Sequence, residues 1–312
     1  MKVGGLFAGI GGIELGFKKA GFDIAWANEI DKNACITYRA NHKHKLFEKD
    51  LNDLGTSEVA PIDILTGGFP CQAFSIAGYQ KGFRDDRGNV FFRILDFIDD
   101  LAPQVVFLEN VKNLVGHDKG KTFERILYEL EVIRKYTVKY KVMNSSEYGN
   151  LPQNRERIYI VACKDEKVAE NFSFPEEKKL TKKVADLTED MAEEKYYYTK
   201  SRYYQQLKEE MLNKDSVYQW RRVYVRENKS KLCPTLTANM GTGGHNVPLI
   251  IDEKDIRKLT PRECARFQGF SDSFIFPEKL ANSSLYKQIG NSVTVPVIEA
   301  IAKEIKKALA SV

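Results

Sequence analysis

Cys71 holds the position in this 312-residue chain that most calls for a chemical explanation. It stands in Gly67-Gly68-Phe69-Pro70-Cys71-Gln72, directly after the apolar run Ile62-Asp63-Ile64-Leu65-Thr66. A side chain just past a strand end in a parallel sheet faces the crevice where such folds bind ligands, so a thiol there is placed as a nucleophile. The other cysteines, Cys35, Cys163, Cys233 and Cys264, are scattered and read as inert core thiols. With an odd total, no CxxC pair and only four histidines, neither a disulfide framework nor a metal site is expected. Glu109, in Leu108-Glu109-Asn110-Val111, also follows an apolar run and falls at the same sheet edge. A carboxyl in a partly desolvated crevice has a raised pKa and can donate or share a proton near neutral pH. A helix-capping acid beside a capping asparagine fits the same residues. Gln153-Asn154-Arg155-Glu156-Arg157 leads into another apolar run, and residues two apart on a strand share a side. Arg155 and Arg157 are therefore expected to fix a carboxylate and a carbonyl oxygen in planar, bidentate fashion.

A second group of residues has the character of a nucleotide site. Phe7-Ala8-Gly9-Ile10-Gly11-Gly12 follows a strand-like run and opens a helical pattern. Glycines there let the backbone approach a ligand, and the helix start offers free amides. Such turns serve NAD, FAD and S-adenosylmethionine alike. Glu29, near the end of the next strand, is placed to accept from two ribose hydroxyls, and Asp50, where a third strand should end, to reach an adenine amino group. A cap or turn carboxylate is the alternative for each. Gln288-Ile289-Gly290-Asn291-Ser292-Val293 reads by itself as an ordinary helix N-terminus.

The elements that must position these residues show in the hydrophobic pattern. Residues 2–7, 24–28, 62–66, 105–108 and 158–162 are short apolar runs of the kind that form parallel buried strands. Between them, 13–20, 33–41, 90–101 and 122–136 carry apolar residues at helical spacing. Alternation over this length predicts a doubly wound sheet with helices on both faces. Residues 137–143 alternate strictly through Val138, Tyr140 and Val142, as in a half-exposed strand of a mixed sheet. Charge-rich and tyrosine-rich stretches follow Cys163, so a second lobe is expected from Val184, and the amphipathic C-terminal helix is expected to pack back on the first. A net charge of +5 is a mild bias that leaves nucleic acid open as a partner. No apolar run is long enough for a bilayer and no signal-like segment precedes the first motif, so a cytoplasmic protein without membrane contact is expected.

With these residues in view, the chain resembles the cytosine-5 DNA methyltransferases, specifically the compact bacterial enzymes of restriction-modification systems. FAGIGG, NEID, GGFPCQAFS, ENVKN, QNRERIYI, RECARFQGF and QIGNSV occur in that family's order and at its spacings over nearly the whole chain. The resemblance implies a doubly wound mixed sheet of the S-adenosylmethionine-dependent methyltransferase type, with a smaller inserted DNA-recognition domain. Residues 1–183 plus 283–312 would form the catalytic and cofactor-binding domain, and 184–282 the target-recognition domain. Phe7, Gly9, Gly11, Glu29, Ile30, Asp50, Leu51 and Pro70 match positions that line the cofactor pocket, with Asn291 and Val293 closing it. Cys71 matches the nucleophile, Glu109 the acid, and Arg155 and Arg157 the residues that orient the target base. Ile30 stands where the family often has tryptophan, so aliphatic contact would replace stacking on the adenine.

The implied reaction needs these types together. Carbon 5 of cytosine is a poor nucleophile until a thiolate, here Cys71, adds to carbon 6. Glu109 at ring nitrogen 3 would stabilise the developing charge, and the arginines would hold the ring in register. S-adenosyl-L-methionine supplies the methyl group, and the base must leave the stack. Glycines 78, 82 and 88 around Lys81, Arg84 and Arg87 suit a loop closing on phosphate, with Gln72 and Ser75 as further DNA contacts. Sequence choice is expected in the second lobe, where Arg221 and Arg222 lie among aromatics and Thr235, Thr237 and Asn239 on a glycine-rich loop. The expected partner is double-stranded DNA, bound by a monomer; a cognate restriction endonuclease need not contact it. The alternatives are a tRNA cytosine-5 methyltransferase of the same fold and a non-catalytic DNA-binding relative. A nucleotide-binding oxidoreductase would leave Cys71, Glu109 and the arginine pair without work.

Overall fold

Runs rich in valine, isoleucine and leucine become the buried centre of a seven-stranded sheet in the computed structural model, which describes residues 1–69, 90–221, 224–243 and 245–312. Pro70, Cys71, Gln72, Ser75, Lys81, Arg84 and Arg222 lie outside the described residues. The strands are β1 (Lys2–Leu6), β2 (Asp23–Asn28), β3 (Lys45–Phe47), β4 (Ile64–Gly68), β5 (Val105–Val111), β6 (Thr137–Asn144) and, after the short β7 (Gln153–Asn154), β8 (Glu156–Cys163). Their order is β3-β2-β1-β4-β5-β8-β6. The five strands from β3 to β5 run parallel. β8 instead pairs antiparallel with β5, although residues 158–162 read as one more parallel strand. A strand covered on both faces is a continuous apolar run in either direction, so the pattern cannot reveal its sense. β6 takes the sheet edge, the half-exposed strand expected there; Val138 and Val142 pack against the core, whereas Tyr140, of the same alternating set, is 49% exposed with its ring edge-on to Phe123.

The strand order reverses between β1 and β4, which is where open sheets of this kind form a ligand crevice at their carboxyl ends. Helices α1 (Gly12–Lys19), α2 (Lys32–Asn41), α3 (Val90–Leu101) and α4 (Lys121–Leu127) flank the strands in sequence. The helical pattern over 122–136 is realised as α4 followed by a wider π turn, Tyr128–Ile133. α3 buries Phe91, Ile94, Leu95, Phe97 and Ile98 in the cluster that also holds Trp26, Leu65 and Val106. Gly4 makes that packing possible, because a Cβ there would collide with the indole of Trp26. Among the described residues, no helix is long and apolar enough to cross a membrane.

The chain divides into two compact units, residues 1–143, 156–176 and 297–312, and residues 144–155 and 177–296. The packing boundaries thus differ from 183 and 282. In the first unit, the C-terminal segment of the helix Val295–Ala310 returns as expected. Ile298 fills the space left by Gly16, and Lys306 donates to the carbonyls of Ala20 and Gly21 at the end of α1. The second unit contains a sheet of order β10-β9-β12-β13. Its strands are β9 (Val217–Arg221), β10 (Tyr224–Asn228), β12 (Leu249–Ile251) and β13 (Ile256–Lys258), while β11 (Cys233–Pro234) pairs with β7. That pairing draws 144–155 into this unit. Gly290 and Gly241 bring the helix Asn282–Asn291 against the loop 237–242, too close for a Cβ at either glycine. Arg257, fully buried, holds Glu263 through two hydrogen bonds of 2.8 Å.

One buried acid lacks such a partner. Glu14 is 1% exposed, lies against Gly5, and neither carboxyl oxygen has a side-chain hydrogen-bond partner among the described residues. Burial pushes its pKa up from 4.5 to about 8. Below the unfolded value the group is neutral in both states and has no effect. As pH rises from 4.5 to 8 the unfolded chain ionises while the folded one stays neutral, and stability falls. Denaturant titrations across this window should show wild type losing stability relative to Glu14→Gln by on the order of 1 kcal/mol per pH unit. Parallel pH profiles would mean that Glu14 is solvated in the folded protein.

Candidate active site

The turn after β1 is shaped by backbone conformations that favour glycine. Phe7, Gly9 and Gly11 have φ of 56°, 58° and 86°, and Gly11 caps α1 in the left-handed region. At Gly11 a side chain would also strike the ring of His42, which lies against the carbonyl of Ile10. At Gly9 a Cβ would meet nothing within 4 Å among the described residues. Glu29 ties that turn to the end of β2. Its Oε2 accepts from the Gly9 amide at 2.7 Å, and its Oε1 from the amides of Ile30 and Asp31 at 2.9 and 2.8 Å.

Each residue of Asn28-Glu29-Ile30-Asp31 has a separate task. Asn28 donates from Nδ2 to the carbonyls of Phe47 and Lys49, fastening the end of β3. Asp31 accepts from the amides of Asn33 and Ala34 and caps α2. Ile30 is left 59% exposed beside the Glu29 carboxylate. Asp50 accepts from the Asn52 amide at 2.9 Å and caps the short turn Leu51–Asp53, while Leu51 is buried in the core cluster. The residues present fit an adenosine-bearing cofactor. Gly9 offers a cradle without side chain, Glu29 a fixed acceptor pair, and Ile30 an exposed apolar surface. Asn291 is exposed at the end of the helix Asn282–Asn291, Val293 is 5% exposed, and both belong to the second unit.

Glu109 lies at the carboxyl end of β5 and is 8% exposed. The antiparallel register sets Val111 opposite Arg157, so Glu109 and Arg157 are diagonal neighbours on one face. Arg157 Nε stands 3.1 Å from Glu109 Oε1, a charge pair that compensates desolvation of both groups. The next residue secures the strand alongside. Asn110 Nδ2 donates to the carbonyl of Phe69 at 2.9 Å, and Gly68 pairs with Glu109 in the β4–β5 ladder. Phe69 is the last described residue before Pro70 and Cys71. Asn110, first readable as a cap, therefore positions the end of β4; its place directly after the acid was the available signal.

Arg155 and Arg157 have different surroundings. Arg155 is 2% exposed in the second unit, where its Nη1 donates to the Leu236 carbonyl at 2.7 Å and its Nη2 to the carbonyls of Gly290 and Ser292. Gln153, fully buried beside it, donates to the Phe267 carbonyl at 2.8 Å and accepts from the Leu236 amide at 3.2 Å. Arg155 thus joins three backbone segments, whereas Arg157 faces an acid. Thr235 hydrogen-bonds the Asn154 carbonyl, and Arg221, Thr235, Thr237 and Asn239 line one cleft of about 740 Å³ in the second unit. Gln219 and Arg226 line it too, residues not singled out from the sequence. Removing a buried guanidinium strands the carbonyls it served. Arg155→Ala should therefore lower stability by about 3–5 kcal/mol in urea titrations, and a loss under ~1 kcal/mol would mean that those carbonyls find water.

Comparison with known proteins agrees with this geometry. The family model described as C-5 cytosine-specific DNA methylase matches residues 1–307. The chain is 52% identical over 315 residues to the Type II methyltransferase M.Bsp6I of Bacillus sp. (strain RFL6), covering 99% of each sequence. It is 36% identical to the Type II methyltransferase M.HhaI of Haemophilus parahaemolyticus, covering 97% of this chain and 94% of that one. Among solved structures, the Dnmt2 methyltransferase of S. pombe superposes with a TM-score of 0.75 at 20% identity over 99% of both chains, which shows a shared fold. With its sequence matched from end to end, the chain belongs to the C-5 cytosine-specific DNA methylases, enzymes that transfer the methyl group of S-adenosylmethionine to carbon 5 of cytosine in DNA.

Proposed function

We propose that the chain methylates one cytosine within a specific duplex sequence, using Cys71 as a covalent nucleophile and acting as a monomer in the cytoplasm. The observation that carries this reading is the Glu109–Arg157 ion pair beside the end of β4, three residues before Cys71. Phe7, Gly9, Gly11, Glu29, Ile30 and Asp50, with Pro70, Leu51, Asn291 and Val293, hold S-adenosylmethionine, which supplies the methyl group when bound. Relatives named Type II methyltransferases support a protective role alongside a restriction endonuclease. The second unit supplies target recognition, and Gln72, Ser75, Lys81 and Arg84 contact DNA next to the extruded base.

The chemistry follows from what cytosine lacks. The Cys71 thiolate adds to carbon 6, and the displaced ring electrons move toward nitrogen 3, where Glu109 in its protonated form donates a hydrogen bond and stabilises them. Arg157 keeps the Glu109 carboxyl oriented and approaches the carbonyl oxygen of the ring. Carbon 5, now electron-rich, would take the methyl group as the bond between that carbon and the sulfonium sulfur breaks, leaving a neutral thioether. The proton on carbon 5 then passes to water, the carbon 6–sulfur bond breaks, and Cys71 is regenerated as the thiolate. Arg155 serves this centre at a distance by fixing the backbone from which β8 departs, which makes it a positioning residue.

Two outcomes test the reading. Duplex DNA with 5-fluorocytosine at the target should form a denaturation-resistant adduct, because fluorine cannot depart as a cation and elimination is blocked. An adduct that persists in Cys71→Ala, or none in wild type, would overturn the covalent route. Glu109→Gln retains shape but loses the acid, and kcat should fall roughly 100- to 10,000-fold. A kcat within tenfold of wild type would remove Glu109 from the chemistry.

A further inference from the structure

β9 and β10 form a two-stranded ribbon with Arg226 opposite Gln219, Tyr224 opposite Arg221 and Val225 opposite Trp220. One face is spoken for, since Tyr218, Trp220 and Val225 pack with Leu207 and Met211. Alternation then turns Gln219, Arg221 and Arg226 the other way, into the 740 Å³ cleft whose lining also includes Thr235, Thr237 and Asn239. Among the described residues this face is net positive, with Arg221 and Arg226 exposed on it. Lys229 adds a third cation, and the one acid in the lining, Glu227, is engaged by Ser216 at 2.7 Å and Asn213 at 3.2 Å.

The arginines of this unit separate by what they bind. Arg155 and Arg262 serve backbone carbonyls, Arg257 and Arg266 serve carboxylates, and Arg202 lies on the ring of Tyr203. Arg226 has no hydrogen bond or ion pair among the described residues and is exposed. Gln219 directly across has its Oε1 occupied by Arg221 Nη2 at 3.2 Å, while its amide donors face the cleft without a described partner. A planar fork of donors beside a spare carboxamide is chemistry suited to purine edges. Guanine presents O6 and N7 side by side in the major groove, which is about 12 Å wide and admits a two-stranded ribbon.

We propose that the outward face of the β9–β10 ribbon reads base edges in the major groove, and that Arg226 is its guanine-reading residue. This assignment rests on the DNA-methylating activity proposed above. A duplex library randomised around the methylated cytosine, read by bisulfite sequencing, separates the two claims. Wild type should define a motif containing guanine. Arg226→Ala and Arg226→Lys should each lose roughly ten- to a hundredfold of the preference at one guanine and keep the other positions. Lys229→Ala should instead weaken binding to all sequences and reduce the salt slope by about one. The lysine variant retains the stem and charge at an exposed site, so unchanged thermal melting with altered preference identifies readout. Uniform loss with a smaller salt slope in Arg226→Ala, or an intact preference in both variants, would overturn the ribbon assignment alone. No methylation by wild type would overturn the proposed function, and this assignment with it.

Discussion

A carboxyl at the end of a buried strand must be matched by a cation, and the Glu109–Arg157 pair meets that constraint. It exists because β8 runs against β5. A parallel strand in the same place would have carried the residues before Ile158 to the opposite sheet edge, away from Glu109. The one reversed neighbour in the described ladders of this sheet is thus the feature that gives the site its arginine. Asn110 adds the third member by holding Phe69, so the chain leading to Cys71 departs beside the acid.

The turn after β1 is organised by a different carboxylate. Glu29 accepts three backbone amides, one of them twenty positions away in the turn after β1. Its charge is thereby delocalised over fixed dipoles instead of a cation, leaving lone pairs for hydroxyl donors. Glu14, in the first turn of α1, has neither solution among the described residues and stays neutral over much of the accessible pH range. Three acids close in sequence or space thus meet burial in three ways: an ion pair, an amide nest and protonation.

In the second unit the same economy of charge distinguishes structure from recognition. Arg257 and Glu263 are wholly buried and mutually satisfied, and Thr260 completes a capping box with Glu263. Such pairs lock loops to helices and are unavailable to ligands. On the outer face of the β9–β10 ribbon the cations outnumber the one acid of the described lining, and Arg226 has no ion pair among the described residues. A polyanion is the partner that suits such a surface.

Local pattern determined much of this protein. Apolar runs and helical spacing located the strands and helices of the first unit, and the residue types around positions 7–12, 29, 71 and 109 carry the nucleotide site and nucleophile proposed above. These signals are short-range, because periodicity, caps and strand-end glycines are set by neighbours within a few residues. Tertiary structure decided the rest. The sense of β8 depends on chain connection, since burial on both faces erases any directional trace. Arg155 and Arg157 looked equivalent two residues apart, yet the one found three carbonyls contributed by residues 236, 290 and 292 and the other an acid on β5. The outward row of Gln219, Arg221 and Arg226 likewise emerged only when β9 and β10 paired and the apolar cluster claimed the opposite face. A side chain's role follows from its partners, and partners distant in sequence are chosen by packing.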